Sequence, residues 1–357
     1  MLISIAALLL IGSVFIYGIS QQYGGRFSGY WVRHLLWCVG GVGIALFFAA
    51  LDYHYLGKMS WYIYALSIFL LFLVLFIGRE INNSKSWLAM PGFTIQPAEF
   101  AKPALLISIS WYLSRPWIRV DKIKDLFPVF ILITIPVALI LLQPDLGSAF
   151  VLIPMAMAVL FVAGIPTRWM IYAAIAAILC IWPLYNYALK DYQKKRIQIL
   201  FNPSNDISHS GWNARQSLLA VGSGGSRGKG FMKGTQNVLG FLPRTVAPTD
   251  FIFSVIAEEA GFFGGSLVIG FFLFLFLLSI RIAAKARDRF GLYLSVGFCM
   301  LMLTHCYINI GMTMGVAPII GLPLPFVSYG GSFMLTCMIY AGIMQSIYIF
   351  RKEELKL

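Results

Sequence analysis

Ten long apolar runs dominate this chain and constrain its fold more than any other feature. A helix needs about 20 mostly apolar residues to cross a bilayer. Because only 11% of the residues are charged, against roughly 25% in a soluble domain, we predict an all-α, polytopic membrane protein with ten transmembrane helices. The runs are Leu2 to Ile19, His34 to Leu51, Trp61 to Ile77, Pro97 to Leu113, Phe127 to Leu142, Ser148 to Gly164, Trp169 to Ala188, Phe251 to Ile280, Leu292 to Gly315 and Gly331 to Phe350.

Basic residues divide unevenly between the two sets of loops that these runs define. With ten spans both termini lie on one side, where loops and tail hold thirteen Lys and Arg residues. The short loops of the other side hold four. The positive-inside rule therefore predicts that both termini are cytoplasmic.

One segment, residues 189–250, is too long to be a simple connector. The topology places it outside the cytoplasm, as one large basic loop between helices 7 and 8 of a single membrane domain spanning 1–357. It holds nine basic and three acidic residues, so its own net charge is +6, out of +13 for the whole chain. A basic chain can indicate nucleic acid, but this location excludes a genome and favours another anionic partner.

Two polar clusters fall within or beside the apolar runs, where charged groups are costly and usually functional. Glu99 and Lys102, in QPAEFAKP, are three residues apart and close enough to pair on one helix face. They form either a self-neutralising ion pair or the lining of a polar cavity. Asp145, in QPDLGS, is best interpreted as the N-cap of the sixth span.

Asp250, in PTDFIFSVIAEEAG, lies where the basic loop re-enters the membrane. Ser254 and Glu258 follow at intervals of four residues and share its helix face. Asp250 could be an N-cap or first-turn acid, but it is the only acid in the last forty residues of the loop. A carboxylate between lipid and a bound substrate is suited to act as a general base.

The glycine-rich segment GSGGSRGKGFMKGTQ departs from a Walker phosphate loop, because Gly230 follows Lys229. Two interpretations stay open. Its N–H groups could form an anion-binding nest, aided by Arg227, Lys229 and Lys233. Equally, it could be a flexible surface loop attracted to anionic lipid headgroups.

Five segments resemble the signature segments of the SEDS family and occur in the same order along the chain. They are QPAEFAKP, QPDLGSA, QSLLAVGSGG with GKG and GTQ, TDFIFSVIAEE and GLPLPFVSYGGS. These are the ten-span peptidoglycan glycosyltransferases of the RodA and FtsW type, and the match covers roughly residues 83–332. The short N-terminus and the AEEAG after TDFIF resemble RodA more than FtsW.

The resemblance implies that the chain polymerises lipid II into glycan strands at the outer face of the bacterial cytoplasmic membrane during cell-wall elongation. The 4-hydroxyl of an acceptor N-acetylglucosamine would attack C1 of the lipid-linked N-acetylmuramic acid, with inversion. Asp250 matches the family's proposed catalytic base. The resemblance and the charges together assign substrate contacts to Glu99, Lys102, Lys85, Trp87, Asp145, Arg196, Gln216, Lys229, Lys233, Thr249 and Ser328.

Four positions depart from the family's usual pattern. LPRTVAPTDF lacks the Glu and His that commonly precede TDF, so the loop before Asp250 is expected to follow a different path. Asn202 replaces a common Asp, and Phe333 replaces a small residue. Lys85 replaces an Arg, and a Lys cannot bind phosphate in a bidentate manner.

Two other function classes are alternatives to the enzyme. A lipid II flippase would also use a buried pair such as Glu99 and Lys102, although its polar groups should cluster near the midplane. A non-catalytic scaffold would explain neither the basic loop nor Asp250.

The family implies a class B penicillin-binding protein as partner, besides membrane lipids and the growing glycan strand. A divalent cation, Mg²⁺ or Mn²⁺, is compatible with the carboxylates, but no ligand cluster demands it.

Overall fold

The computed structural model describes residues 1–23, 29–81, 84–90, 93–183 and 210–351, together with the single residues 186, 194 and 198. Each of the ten apolar runs contains a helix, because a backbone in lipid must satisfy its own hydrogen bonds. The helices in the described part of the chain are α1 Leu2–Tyr23, α2 Tyr30–Ala50, α3 Tyr53–Lys58, α4 Ser60–Ile77, α5 Pro97–Leu113, α6 Ile123–Leu142, α7 Leu146–Ala163, α8 Thr167–Pro183, α9 Ser210–Ser223, α10 Thr235–Val238, α11 Ile252–Ala284, α12 Arg289–Thr313 and α13 Gly331–Ile349.

The predicted helical class is confirmed. Among the described residues, eight helices are long and apolar enough to cross a membrane. The helices α5 and α8, of 17 residues each, are not among the eight. Ten crossings and the predicted orientation therefore stay predictions.

Three short strands follow α4, although the sequence pattern predicts none. They are β1 Arg79–Ile81, β2 Ser84–Met90 and β3 Phe93–Ile95, in an antiparallel sheet of order β1-β2-β3. Strand β2 carries Lys85 and Trp87. The sheet thus gives the connection between α4 and α5 a regular backbone.

Two further findings concern the segment predicted as a basic loop and the span after it. The described part of 189–250 contains the helices α9 and α10. The predicted eighth span is not continuous, because the backbone of α11 leaves the helical region at Gly261 (φ 69°, ψ −163°).

The candidate site residues divide between two compact units. Asp250 and the glycine-rich segment belong to the first unit, whereas Glu99, Lys102 and Asp145 belong to the second. A single membrane domain over 1–357 stays a prediction. The first unit comprises Met1–Leu36, Arg168–Leu275 and His305–Gly330, and the second comprises Trp37–Thr167, Phe276–Thr304 and Gly331–Leu357.

Candidate active site

Asp250 lies two residues before the start of α11 and is half-buried. Its N–H donates to the Val246 carbonyl at 2.9 Å, which makes it part of a tight turn entering the helix. Gly321, with φ of +74°, passes close to the carboxylate: a Cβ placed on it would lie 3.2 Å from Asp250 Oδ2. A glycine there allows the backbone to approach the carboxylate closely.

Hydrogen bonds from the loop that precedes α13 hold the backbone just before Asp250. The buried Ser328 hydroxyl donates to the Thr249 carbonyl at 2.5 Å and accepts the Leu324 N–H at 2.8 Å. The next residue, Tyr329, donates its N–H to the Pro248 carbonyl at 2.9 Å. Ser328 and Thr249 were predicted as substrate contacts, and the structure joins them to each other.

Asn309, in α12, is a site residue that sequence reasoning missed. Its side-chain amide donates to the Asp250 carbonyl at 2.9 Å and to the Leu322 carbonyl at 2.7 Å, and the residue is fully buried. Asn309 therefore fixes Asp250 and the loop before α13 to the same point on α12. The signal in the sequence was a lone amide inside an apolar run.

Ser254, four residues after Asp250, bonds to α9. Its hydroxyl lies 2.6 Å from that of Ser217, which also donates to the Thr313 carbonyl at 3.0 Å. The neighbouring Gln216 is buried in α9. Helix α9 and the end of α12 thus support the first turns of α11.

Lys229 is not available as an unpaired cation. Its Nζ lies 2.6 Å from Glu258 Oε1, and the side chains are 25% and 0% exposed. It also donates to Thr235 Oγ1 at 2.7 Å. The N–H groups of Gly228, Lys229 and Gly230 donate to backbone carbonyls, so these three groups are not available for an anion-binding nest. Attraction of the segment to anionic lipid headgroups stays a prediction. Lys233 is exposed, and Arg196 lies outside the described residues.

In the second unit, Glu99 and Lys102 form the predicted pair. Lys102 Nζ lies 2.7 Å from Glu99 Oε1, and the side chains are 0% and 4% exposed respectively. The ring of Phe333, one of the departures from the family pattern, lies 5.8 Å from Lys102 Nζ. Glu99 Oε2 has no hydrogen-bond partner among the described residues.

Asp145 is confirmed as the N-cap of α7. Its carboxylate accepts the Ser148 N–H at 3.0 Å and the Ser148 hydroxyl at 2.9 Å. The Gln96 amide donates to the same carboxylate at 2.9 Å. Asp145 thus links the start of α7 to the residue before α5.

Lys85 and Trp87 occupy structural positions in the sheet. Lys85 Nζ donates to the carbonyls of Leu75 and Phe76, at 2.9 and 3.0 Å, and so caps the C-terminal end of α4. Trp87 is half-buried and pairs with Arg79 across the sheet. Within the described ranges, no group of three or more His, Cys, Asp or Glu residues could hold a metal ion.

Comparison with known proteins identifies one family. The family model FTSW_RODA_SPOVE, described as "Cell cycle protein", matches residues 1–353. Peptidoglycan glycosyltransferase RodA of Treponema pallidum is 32% identical over 97% of this chain and 96% of its own length. Peptidoglycan glycosyltransferase MrdB of Escherichia coli K12 is 33% identical over 99% of this chain and 93% of its own length. A probable peptidoglycan glycosyltransferase FtsW of Trichlorobacter lovleyi is also 33% identical, over 97% of this chain and 92% of its own length.

Two solved structures are similar over nearly the full length. One, described as "Structural coordination of polymerization and crosslinking by a peptidoglycan synthase complex", has a TM-score of 0.82 and 28% identity, and covers 98% of this chain and 96% of its own. The other is the crystal structure of the Thermus thermophilus rod shape determining protein RodA. It has a TM-score of 0.73 and 25% identity, with coverage of 99% and 97%.

Proposed function

Because the chain belongs to the FtsW, RodA and SpoVE family, which is the SEDS family, we propose that it is a peptidoglycan glycosyltransferase that polymerises lipid II. Relatives named for that activity are 32 and 33% identical over nearly the whole chain. RodA and FtsW relatives are about equally identical. A role in elongation rests on the AEEAG sequence after TDFIF and on the similarity to solved RodA.

The proposed reaction transfers the glycan from one lipid carrier to a new acceptor sugar. The acceptor 4-hydroxyl attacks C1 of the lipid-linked N-acetylmuramic acid, and the bond from C1 to the pyrophosphate oxygen breaks. Asp250 takes the hydroxyl proton, and the lipid pyrophosphate leaves with the bonding electrons. A general base must be held within hydrogen-bond reach of the proton that it accepts.

The observation that carries this proposal is the fixed backbone around Asp250. Bonds from Ser328 and Asn309 hold the carbonyls of Thr249 and Asp250. Gly321 lies close to the carboxylate, where a larger residue would crowd it. Such preorganisation is expected of a catalytic group and is not required of a simple helix cap.

The other substrate contacts are assigned as follows. Arg196 and Lys233 are the proposed cations for the leaving pyrophosphate, because a developing negative charge needs cationic partners. Glu99 Oε2 has no hydrogen-bond partner among the residues that the structure describes, and this supports a polar cavity beside Lys102, since buried polar atoms are normally hydrogen-bonded. Gln216, a buried amide in α9, completes the proposed set.

The decisive experiment measures glycan polymerisation from purified lipid II by the purified chain together with its cognate transpeptidase. We expect Asp250→Asn to abolish chain growth while expression and solubilisation match the wild type. Asp121→Asn, at an exposed acid of the loop between α5 and α6, is the matched control and should retain full activity. Full activity of Asp250→Asn would exclude Asp250 as the base. Transfer of labelled lipid II between leaflets without polymerisation would instead favour the flippase.

We further propose a class B penicillin-binding protein as partner, supported by the similarity to a solved peptidoglycan synthase complex. The apolar helices make the chain an integral membrane protein, and we place both termini in the cytoplasm. Co-purification with the transpeptidase tests the partner. Accessibility of cysteines introduced at the two termini to an impermeant thiol reagent tests the orientation.

A further inference from the structure

Helix α11 is interrupted at Gly261, and four backbone groups beside the interruption bond outside the helix. In a continuous helix the N–H groups of Phe262 and Phe263 would donate to the carbonyls of Glu258 and Glu259. Buried backbone groups that lose a partner must find another. Here all four find one in the glycine-rich segment.

The glycine-rich segment supplies partners for these four groups. Its carbonyls accept the two N–H groups after the break, and its N–H groups donate to the two carbonyls before the break. The bonds are Phe262 N–H to Gly225 O at 2.8 Å, Phe263 N–H to Ser226 O at 3.2 Å, Lys229 N–H to Glu258 O at 3.0 Å and Gly230 N–H to Glu259 O at 3.0 Å.

The glycine-rich segment passes α11 at Gly261, and we call this contact between residues 225–230 and 258–263 the crossing. It has no space for side chains. A Cβ on Gly228 would lie 2.2 Å from the Glu259 carbonyl oxygen, and one on Gly261 would lie 2.2 Å from the Gly228 nitrogen. Both residues have positive φ, +75° and +69°. Gly228 and Gly261 therefore allow the two backbones to pack closely against each other.

The Lys229–Glu258 pair fastens this crossing. Besides Lys229 Nζ, the same Glu258 oxygen accepts the Gln236 N–H at 2.9 Å and the Thr235 hydroxyl at 3.2 Å. Glu258 is fully buried. A buried carboxylate is tolerated when it is paired and hydrogen-bonded, so removing Lys229 alone would leave an uncompensated charge at the crossing.

We propose that the Lys229–Glu258 pair is a positioning device for Asp250. The helical segment from Ile252 to Ala260 joins Asp250 to the break; Asn309 and Ser328 hold its first end, and the crossing holds its last. Opening the crossing frees one end of this segment and lets Asp250 drift from its reactive position. The inference rests on the proposed function, and it assigns to Lys229 positioning in place of contact with pyrophosphate.

Charge removal in two steps separates positioning from substrate binding. Lys229→Met should lower kcat at least about tenfold and leave KM for lipid II unchanged. Adding Glu258→Gln removes the unpaired charge and should restore kcat to within about threefold of the wild type. If Lys229 instead contacts pyrophosphate, KM rises in the single variant and the double variant stays equally impaired, which would overturn the proposal.

A glycine substitution tests the crossing without changing any charge. Gly261→Ala should lower kcat and accelerate amide hydrogen exchange in peptides covering 225–231 and 258–264. Gly270→Ala, in the same helix, is the matched control, because a Cβ there meets nothing within 4 Å; it should behave like the wild type. Unchanged exchange and kcat in Gly261→Ala would overturn the proposal.

The two proposals fail in different ways. If the wild-type chain does not polymerise lipid II, the proposed function is refuted, whereas the exchange measurement still tests the crossing. If the wild type polymerises lipid II and the double variant is not rescued, only the positioning role of Lys229 and Glu258 is refuted.

Discussion

Replacing Asn309 with Leu removes two hydrogen bonds at the candidate active site and keeps the side-chain size nearly constant. The lost donors leave the carbonyls of Asp250 and Leu322 without that amide, at a fully buried position. A buried polar group left unsatisfied costs about 1–3 kcal/mol, and the Leu322 bond is buried whereas the Asp250 bond is only partly buried, so the expected loss in the free energy of unfolding is about 2–4 kcal/mol. Because one of these carbonyls belongs to Asp250, glycan polymerisation should also fall.

The stability loss is measured by reversible unfolding in mixed micelles, and the activity by polymerisation of lipid II at a temperature where both proteins are folded. Thr304→Val is the matched control on α12. The Thr304 hydroxyl donates only within its own helix, to the Met300 carbonyl at 2.8 Å, so its loss should cost less than about 1 kcal/mol. An Asn309→Leu variant with wild-type stability and activity would refute the reasoning that this amide holds Asp250.

Three further predictions concern the second unit, and each is checked by unfolding in mixed micelles. Lys102→Met should destabilise by about 3–5 kcal/mol, whereas Glu99→Gln/Lys102→Met should cost clearly less, because no buried charge is left unpaired; equal losses would contradict this. Asp145→Ala should cost about 1 kcal/mol through loss of the cap, and a loss near zero would exclude the cap as a stabilising feature. Partial burial raises the pKa of Asp52, but hydrogen bonds from the backbone and side chain of His54 outweigh it and hold that pKa below the ordinary 3.8. This stabilisation is therefore present above pH 3.8 and is lost as the pH falls through the lowered pKa, and Asp52→Asn should flatten that acid dependence.

The features predicted correctly are those that depend on local sequence. Apolar runs of this length form helices in lipid wherever they are placed. The cap at Asp145 depends on residues three positions apart, so QPDLGS was sufficient to predict it. The pairing of Glu99 with Lys102 likewise needs only one turn of helix.

The features missed depend on contacts between segments far apart in the sequence. The sheet uses short strands without an apolar alternation, so no periodicity indicated it. The break at Gly261 was hidden because the run from Phe251 to Ile280 stays apolar across it. The bonds that these groups make outside the helix come from residues 29 or 37 positions earlier, and backbone groups carry no sequence signal. Asn309 acts on a carbonyl 59 residues away.

These contacts change which basic residues of the segment 189–250 are candidates for binding an anionic substrate. Lys229 is neutralised by Glu258, and the Arg244 guanidinium lies over the Tyr23 ring at 5.1 Å. Both cations already have a partner within the first unit, so they are weaker candidates for contact with an anionic substrate. Among the described residues of this segment, the exposed cations Arg215, Arg227 and Lys233 are those that can still meet a lipid pyrophosphate. Phosphate contacts should therefore be sought at these three positions before Lys229, and a rise in KM for lipid II confined to their neutral variants would establish that division.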